Sequence, residues 1–384
     1  MLQLQSKLPS QGVTIFSVMT ELAQRLNALN LSQGFPDFPA PPALLQALSE
    51  ATLSGYNQYP AGDGVLTLRE QLAKQFFARD QLQLDPLSEI TITPGATIAI
   101  FCAIQACIHA DDEVIIFDPS YDSYAPAIQL AGGKSVHIHL EAPTFQVNWQ
   151  KVKDSINAKT RMIIVNTPHN PTGAIWSEQE WKQLIELIQD RNIVVLSDEV
   201  YEHLVFDGQK HHSVLQFPEL RERSFVIGSF GKTYHVTGWK TGYCVAAPQL
   251  MRLFRQIYQF ANFCGTTPCQ IALANYMQQH PEHIQELPDF YQAKRDLFNQ
   301  QIQNSRFKLI PSQGTYFQNL DYSNIHPDLN DVEMCQFLAE KHKIVAIPIS
   351  VFYQHAPSSL RQIRFCFAKT DQTLKRASEI LVQC

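Results

Sequence analysis

Seven short runs of apolar residues recur through the middle of the chain, and they constrain its fold more than any other feature. Each run is rich in valine and isoleucine and is nearly continuous rather than alternating. Strands of a parallel sheet covered on both faces have this pattern. The runs are residues 89–93, 113–117, 135–139, 161–165, 192–196, 225–227 and 243–246. We therefore predict an α/β fold built on one large central sheet.

Helical patterns lie between several of these runs, and the pattern changes at both ends of the chain. In residues 178–190, for example, apolar side chains recur at three- and four-residue spacing. Residues 1–40 carry proline and glycine clusters, whereas a long helix through residues 289–304 opens a different pattern near the C-terminus. We predict three parts: an N-terminal arm packing with the small domain (1–40), a three-layer α/β/α large domain with a mostly parallel seven-stranded sheet (41–285), and a smaller α+β domain (286–384).

Charge and cysteine usage exclude several classes of protein. The formal net charge is −6, which argues against nucleic acid or an anionic membrane as the main partner. The N-terminus lacks a secretory signal pattern, and no stretch approaches about 18 consecutive apolar residues. The eight cysteines include no C-x-x-C pair, so we expect reduced thiols in a cytoplasmic protein. Neither His211-His212 nor the pair His137 and His139 has a third ligand at metal spacing, so we expect no metal site.

Polar residues follow five of the predicted strands. Ligands of open α/β sheets bind beyond the carboxyl ends of the strands, so these residues are expected to share one site. They are Gly95-Ala96-Thr97 at a helix start, the ring of Tyr121, the amide of Asn170, the acid and phenol of Asp198 and Tyr201, and Ser229 with Lys232. Free backbone N–H groups at a helix start suit a phosphate.

Two lysines, Lys232 and Lys240, lie in a segment that otherwise reads as partly buried and contains no carboxylate. The sequence Gly231-Lys-Thr233 resembles the end of a Walker loop, but Val226 occupies the place of the required first glycine. A buried lysine without a partner tends to lose its proton and becomes a nucleophile. Together with the carboxylate and the phosphate cradle, this predicts pyridoxal phosphate, which bonds to a lysine and has its ring nitrogen held by an acid. Lys240 is then a candidate counter-charge for the phosphate.

Each of these residues alone also has a structural interpretation. Asp198 and Glu199 could cap a helix, Tyr121 and Tyr201 could be core or rim aromatics, and Asn170 before a proline could be a turn residue. Arg364 could be a surface arginine on a strand. The functional interpretation rests on their joint placement at consecutive strand ends.

The whole chain resembles the fold-type I pyridoxal-phosphate aminotransferases of class I/II. Within that class it is similar to the bacterial methionine aminotransferases and to the kynurenine/glutamine aminotransferases. The segments that carry the resemblance are residues 32–38, 57–59, 95–97, 118–124, 166–173, 197–201, 229–232, 238–242 and 363–367.

The resemblance implies a role for each candidate residue. Lys232 would bond to the cofactor, Asp198 would hold its ring nitrogen, and Tyr201 and Asn170 its phenolic oxygen. Tyr121 would stack on the ring, while Gly95, Ala96, Thr97, Ser229 and Lys240 would hold the phosphate. Arg364 would clamp the substrate carboxylate, assisted by Asn170 and the backbone of Gly34; a planar guanidinium binds carboxylates bidentately. Tyr59 would reach into the partner subunit's site, which implies a homodimer.

Departures from the family pattern bear on the substrate. Lys240 stands where much of the class has arginine, Tyr121 where the kynurenine branch has phenylalanine, and Phe16 where that branch has tryptophan. These departures favour the methionine branch. A pocket formed by Phe16, Phe35, Tyr59 and Tyr121 suits uncharged donors such as methionine and aromatic amino acids, with a 2-oxo acid as acceptor.

Two other functional classes remain open at this stage. A carbon–sulfur β-lyase, a side activity of the kynurenine branch, would use the same lysine and cofactor but release pyruvate and ammonia from a cysteine conjugate. A DNA-binding regulator built on this fold would need a basic helix before the large domain. The first forty residues lack such a helix.

Overall fold

The structure is a computed structural model that describes residues 4–9 and 12–384. Within these residues the strands are β1 (Leu29–Asn30), β2 (Ile90–Thr93), β3 (Glu113–Asp118), β4 (Lys134–His139), β5 (Thr160–Asn166), β6 (Val194–Asp198), β7 (Ser224–Ser229), β8 (Gly242–Ala246), β9 (Lys308–Leu309), β10 (Phe317–Asp321), β11 (Ile344–Val345), β12 (Ile347–Pro348) and β13 (Gln362–Cys366).

The α-helices of the same residues are α1 (Ile15–Leu26), α2 (Pro42–Leu53), α3 (Leu66–Asp80), α4 (Ala96–Cys107), α5 (Tyr124–Leu130), α6 (Trp149–Ser155), α7 (Glu178–Ile188), α8 (Pro218–Arg221), α9 (Phe230–Thr233), α10 (Pro248–Ala261), α11 (Thr267–Gln279), α12 (His283–Ile302), α13 (Asp331–Phe337) and α14 (Asp371–Val382). Short 3₁₀ turns lie at Val214–Gln216, Thr237–Trp239 and Ser350–Phe352, and a π-helical turn lies at Leu338–His342. No helix in the described part of the chain is both long and apolar enough to cross a membrane.

All seven predicted strands join one sheet, in the order β2-β8-β7-β6-β5-β3-β4. Strands β3 to β7 pair in parallel, and β8 runs antiparallel to both of its neighbours, β2 and β7. The predicted mostly parallel, seven-stranded α/β architecture is therefore confirmed.

Alternate side chains of each central strand enter two separate cores, one on each face of the sheet. In β3, Ile115 packs on the face covered by α2, α3, α7 and α11, whereas Ile116 packs on the face covered by α4, α5 and α10. In β5, Ile163 and Ile164 divide in the same way. Because both faces are apolar, the strands read as continuous hydrophobic runs.

A third core unites the N-terminal and C-terminal segments. The antiparallel sheet β12-β13-β10-β9 packs there with α12 and α14. Met19 and Ala23 of α1 join the same core, and β1 pairs in parallel with β11. This packing supports the proposed arm and small domain; the boundaries after residues 40 and 285 remain a prediction.

Two elements begin two or more residues away from their predicted starts. Strand β6 covers residues 194–198 rather than 192–196, so Asp198 is its last residue. Helix α12 begins at His283, six residues before the predicted start, although Pro288 lies inside it. The imidazole of His283 contacts the Tyr276 hydroxyl and the Thr233 carbonyl oxygen, and these contacts between distant segments are invisible to a local helix pattern.

Candidate active site

A pocket of about 170 Å³ lies where five strands of the central sheet end. Each strand is followed by a turn that directs polar groups into the same space, as the parallel arrangement requires. Its lining comprises Gly95, Ala96, Thr97, Ile100, Tyr121, Asn166, Asn170, Asp198, Val200, Tyr201, Ser229, Gly231, Lys232, Thr237, Lys240 and Thr241. The pocket lining thus contains the nine candidates that follow the predicted strands. It also contains Lys240, the predicted counter-charge for the phosphate.

Lys232 lies on the single turn α9 that follows β7. Its Nζ donates hydrogen bonds to the Gly34 carbonyl oxygen at 3.1 Å and to the Tyr316 hydroxyl at 2.8 Å. Among the described residues no carboxylate lies within ion-pair distance of Nζ. Burial lowers the pKa of Lys232 to about 8, with Arg364 and Lys240 acting in the same direction. The amine is therefore neutral more readily than an exposed lysine.

Asp198 is the last residue of β6 and is 3% exposed. Its carboxylate accepts hydrogen bonds from the Tyr124 hydroxyl at 2.6 Å and from the Val200 amide at 3.3 Å. Burial raises the pKa of Asp198 to about 6. A buried carboxylate that has hydrogen bonds but no cation at ion-pair distance suits a ligand carrying a positive charge. Residues 199–213 contain turns and irregular backbone but no helix, which removes the helix-cap interpretation of Asp198.

The N-terminus of α4 forms an anion-binding corner of the pocket. Gly95 precedes the helix at φ +84°, a conformation that glycine tolerates, and no side chain caps the first turn. A Cβ at Gly95 would lie 3.4 Å from Nζ of Lys240. The free amides of Ala96 and Thr97 and the Lys240 ammonium therefore converge where a phosphate would bind.

Arg364 enters from the other sheet, on β13, and is 1% exposed. Its guanidinium donates to Oδ1 of Asn170 at 2.7 Å and to the Ser32 carbonyl oxygen at 3.3 Å, whereas its Nε has no partner among the described residues. Burial lowers the pKa of Arg364 to about 10. A buried, charged guanidinium with a free donor and no ion-paired carboxylate suits an anionic group of a ligand.

Aromatic rings surround the same guanidinium. Its central carbon lies 3.9 Å from the ring centre of Phe317, 5.2 Å from that of Phe352 and 5.6 Å from that of Phe16. Phe16 of α1 therefore lies beside the proposed substrate clamp. The walls on this side of the site are apolar.

These groups fit pyridoxal phosphate. The α4 corner with Lys240 would hold its phosphate, Lys232 its aldehyde carbon and Asp198 its ring nitrogen. The rings of Tyr121 and Tyr201 would border the ring of the cofactor. The fit rests on two observations. Half-buried Lys232 and buried Asp198 have no oppositely charged partner at ion-pair distance among the described residues, and the first turn of α4 is uncapped.

Two residues assigned to the substrate pocket are exposed in the single chain. Tyr59 is 82% exposed and packs edge-on against Phe263, with 5.4 Å between ring centres. Phe35 is 45% exposed, and its carbonyl oxygen accepts a hydrogen bond from Lys369. Gly34 reaches the site through its carbonyl oxygen, which contacts Lys232.

Sequence reasoning missed Tyr124 and Tyr316. Tyr124 contacts Asp198, and Tyr316 contacts Lys232. Tyr124 belongs to the segment 118–124 that carries the family resemblance, so its position next to the stacking residue was an available signal. Tyr316 precedes β10 and lies far from Lys232 along the chain, and no local pattern connects them.

A larger, open cleft of about 1250 Å³ lies between the third core and segments 143–149 and 172–183. Asn166 borders both this cleft and the pocket. The cleft lacks Lys232, Asp198 and Arg364, so its size does not make it the reaction site.

The structure also gathers Glu199 and Glu202 around His211, within reach of a common cation. Sequence spacing gave His211 no third ligand, because these residues meet only in the fold. The atoms that face one another already have protein partners: Arg79 and Tyr243 bind Glu202, and Nε2 of His211 binds Glu199 at 2.8 Å. Nδ1 of His211 has no partner among the described residues. Burial alone would raise the pKa of Glu202, but Arg79 holds it at about 2. We therefore describe the cluster as a structural ion network.

Comparisons with known proteins show which family, sequences and structures the chain resembles. Residues 27–381 match the family model described as aminotransferase class I and II. A methionine aminotransferase of Escherichia coli (strain K12) is 47% identical over 379 residues, covering 99% of this chain and 98% of that protein. Human kynurenine–oxoglutarate transaminase 3 is 35% identical, with 94% and 86% covered. A crystal structure from Escherichia coli, reported to have methionine aminotransferase function, superposes with a TM-score of 0.97 at 47% identity and covers both chains completely.

Proposed function

The chain belongs to the aminotransferases of class I and II, and on this premise we propose that it transfers the amino group of methionine, and of other uncharged or aromatic L-amino acids, to a 2-oxo acid. The observation that carries the proposal is the half-buried Lys232, which has no acidic partner among the described residues and lines one pocket together with Asp198. The Escherichia coli relative supports methionine as donor. The aromatic rings around Arg364 support an uncharged side chain.

Like its family, the enzyme depends on pyridoxal 5'-phosphate. When bound, this cofactor supplies an aldehyde carbon that carries the amino group and a ring that withdraws electrons from the substrate. The uncapped turn of α4, Ser229 and Lys240 would hold the phosphate, and Tyr201 and Asn170 would donate to the phenolic oxygen. Asp198 would hold the proton on the ring nitrogen, because an ionised carboxylate in a buried pocket favours a neighbouring cation.

Lys232 would act as the base once its amine is free. Because its pKa is lowered, a larger fraction of the amine is neutral near pH 7. Only the neutral amine can accept a proton from a substrate. Arg364 would bind the substrate carboxylate, and the contact of Asn170 with its guanidinium fixes the orientation of that clamp. In the second half of a ping-pong reaction the same groups would act on the 2-oxo acid in reverse.

The first test is donor preference of the cofactor-loaded enzyme. With a fixed 2-oxo acid acceptor, we expect kcat/KM for methionine to exceed that for aspartate by at least about tenfold, because an apolar pocket leaves a second carboxylate unpaired. Norleucine, which replaces the sulfur by a methylene group, is the matched control and should remain a substrate. A preference for aspartate or kynurenine would overturn the assignment of the donor. Release of pyruvate from a cysteine conjugate without any acceptor would indicate the β-lyase.

We further propose a cytoplasmic homodimer in which Tyr59 completes the partner's site. Tyr59 and Phe263 form an exposed aromatic pair, and Phe260 nearby in sequence is 88% exposed; such surfaces mark interfaces. All eight cysteines are free thiols, which supports a reducing compartment. Light scattering should give twice the 43.6 kDa of the chain, and cell fractionation should place the protein in the cytoplasm.

Shared sites have a sharper test in mixed dimers. Lys232→Ala and Tyr59→Ala damage different halves of a shared site, so co-refolding the two weak variants should create one intact site per mixed dimer. We expect recovery to about a quarter of wild-type activity, because half of the dimers are mixed and each restores one of two sites. A mixture no more active than the mean of its two components would place Tyr59 outside the partner's site.

A further inference from the structure

The hydroxyl of Tyr316 joins three separate segments at the reactive lysine. Tyr316 directly precedes β10 and is fully buried. Its Oη accepts a hydrogen bond from Nζ of Lys232 at 2.8 Å, and its O–H donates to the carbonyl oxygen of Gly34. The same carbonyl oxygen accepts a second bond from Lys232 at 3.1 Å. The small sheet, the N-terminal arm and the turn after β7 thus meet in one closed triangle of hydrogen bonds.

This triangle determines how the amine can be used. A neutral amine has two N–H bonds and one lone pair, whereas an ammonium has three N–H bonds and none. In the described structure the two acceptors, Tyr316 Oη and Gly34 O, account for both N–H bonds of the neutral form. A third N–H of the charged form would have no protein acceptor among the described residues. The two acceptors therefore match the two N–H bonds of the neutral amine and leave its lone pair unengaged.

We propose that Tyr316 is a positioning residue. Its hydroxyl would hold the free Lys232 amine in an orientation that leaves the lone pair of the nitrogen available for proton transfer. This inference rests on the proposed role of Lys232 as the base. Gly34 alone would leave the amine free to rotate about a single hydrogen bond. The second acceptor fixes its orientation, and orientation of a catalytic group contributes strongly to rate.

The hydroxyl can be separated from the ring that carries it. The Tyr316 ring packs edge-on against Tyr201 with 5.1 Å between ring centres, and against Phe317 with 4.9 Å. Tyr316→Phe keeps these contacts and removes only the hydrogen-bonding group. The other groups that influence the charge of Lys232 are unchanged in this variant: Asp198, Lys240, Arg364 and Cys366.

A suitable control is Tyr322→Phe. Tyr322 is also fully buried in the third core, and its hydroxyl donates to the Leu329 carbonyl oxygen at 3.1 Å. Both variants lose one buried tyrosine hydroxyl of that core, but only Tyr316 contacts Lys232. A general cost of removing such a hydroxyl should therefore appear in both, and thermal unfolding of the two proteins measures it.

The first readout is the reactivity of Lys232 in cofactor-free protein, which needs no catalysis. Trace acetylation with acetic anhydride at a series of pH values, followed by peptide mass spectrometry, gives the pH at which the amine is half protonated. We expect that pH to lie near 8 in the wild type and to fall in Tyr316→Phe. Both forms of the amine lose an acceptor, but the charged ammonium loses the stronger hydrogen bond. Tyr322→Phe should match the wild type.

The second readout is the kinetics of the loaded enzyme with methionine. We expect kcat to fall by about 10- to 100-fold in Tyr316→Phe with little change in KM, since misplacing a catalytic group costs rate rather than ground-state binding. An unchanged acetylation profile with unchanged kcat would overturn the proposal. A raised KM at constant kcat would also overturn it and would assign the hydroxyl to substrate binding through Gly34. Normal activity of Lys232→Ala would refute the catalytic role of Lys232. The acetylation profile reports only the protonation of the amine, so the two results separate the role of the lysine from that of Tyr316.

Discussion

Replacing Lys232 with alanine should reduce amino-group transfer by more than about 10⁴-fold, the largest effect that we expect of any single substitution. General acid–base catalysis by one positioned group contributes about 10²–10⁴-fold, and Lys232 is also the proposed point of attachment of the cofactor. Its position on α9 fits both tasks, because its amine lines the pocket and has no carboxylate at ion-pair distance among the described residues. The measurement is the rate of 2-oxo acid formation from methionine, together with the visible absorbance of the bound cofactor.

Two control variants make this result specific. Lys232→Arg keeps a positive charge but cannot bond to an aldehyde as an amine does, so it should be as inactive as the alanine variant. Lys182→Ala removes an exposed lysine that pairs with Glu178 on α7, and it should keep full activity. An alanine variant at position 232 with near-normal turnover and an unchanged visible band would show that another residue carries the chemistry.

Replacing Arg364 with methionine should reduce kcat/KM for methionine by about 30- to 3000-fold, corresponding to the 2–5 kcal/mol that is lost when one partner of a buried charge pair is removed. Methionine at this position keeps apolar volume between the rings of Phe317 and Phe352. The substituted chain should therefore fold, and the loss should concern the substrate carboxylate. Steady-state kinetics of wild type and variant give this ratio.

The matched control for Arg364 is a change in the substrate. The decarboxylated amine of methionine lacks the group that Arg364 is proposed to bind, so the substitution should leave its slow turnover nearly unchanged. Wild type and Arg364→Met, each measured with methionine and with the amine, form a double-mutant-type cycle. The loss of rate from the substitution and the loss from removing the substrate carboxylate should not be additive in that cycle. Equal losses for methionine and for the amine would mean that the variant disturbs the pocket rather than the clamp.

Much of the fold could be predicted from the chain, because the seven strands are local, apolar and short. Their limits were found within two residues even for β6. The candidate residues that follow the strands could be predicted as well, because parallel strands bring their carboxyl ends to one edge regardless of the loops between them. The pocket lining therefore contains residues such as Thr97, Asn170 and Asp198. Their individual roles remain proposals.

The features that escaped prediction depend on contacts between distant segments. Tyr316 is separated from Lys232 by 84 positions and from Gly34 by 282, and hydrophobic periodicity carries no information about such a meeting. His211 joins the acidic network only after the turn beyond β6 has folded back. The early start of α12 likewise follows from contacts of His283 with α9 and α11. Side-chain hydrogen bonds between elements that are distant in the chain cannot be predicted from the local patterns of a single sequence.

In the proposed function, the amine and the carboxylate of a substrate would be bound by residues that belong to different hydrophobic cores. Lys232 lies on the turn that follows β7 of the seven-stranded sheet. Arg364 lies on β13 of the small antiparallel sheet, which packs with α12 and α14. In the proposed function, the packing of the two cores therefore sets the spacing between the group that acts on the amine and the group that binds the carboxylate. The proposed preference for α-amino acids thus depends on how the cores pack as well as on the residues that would touch the substrate.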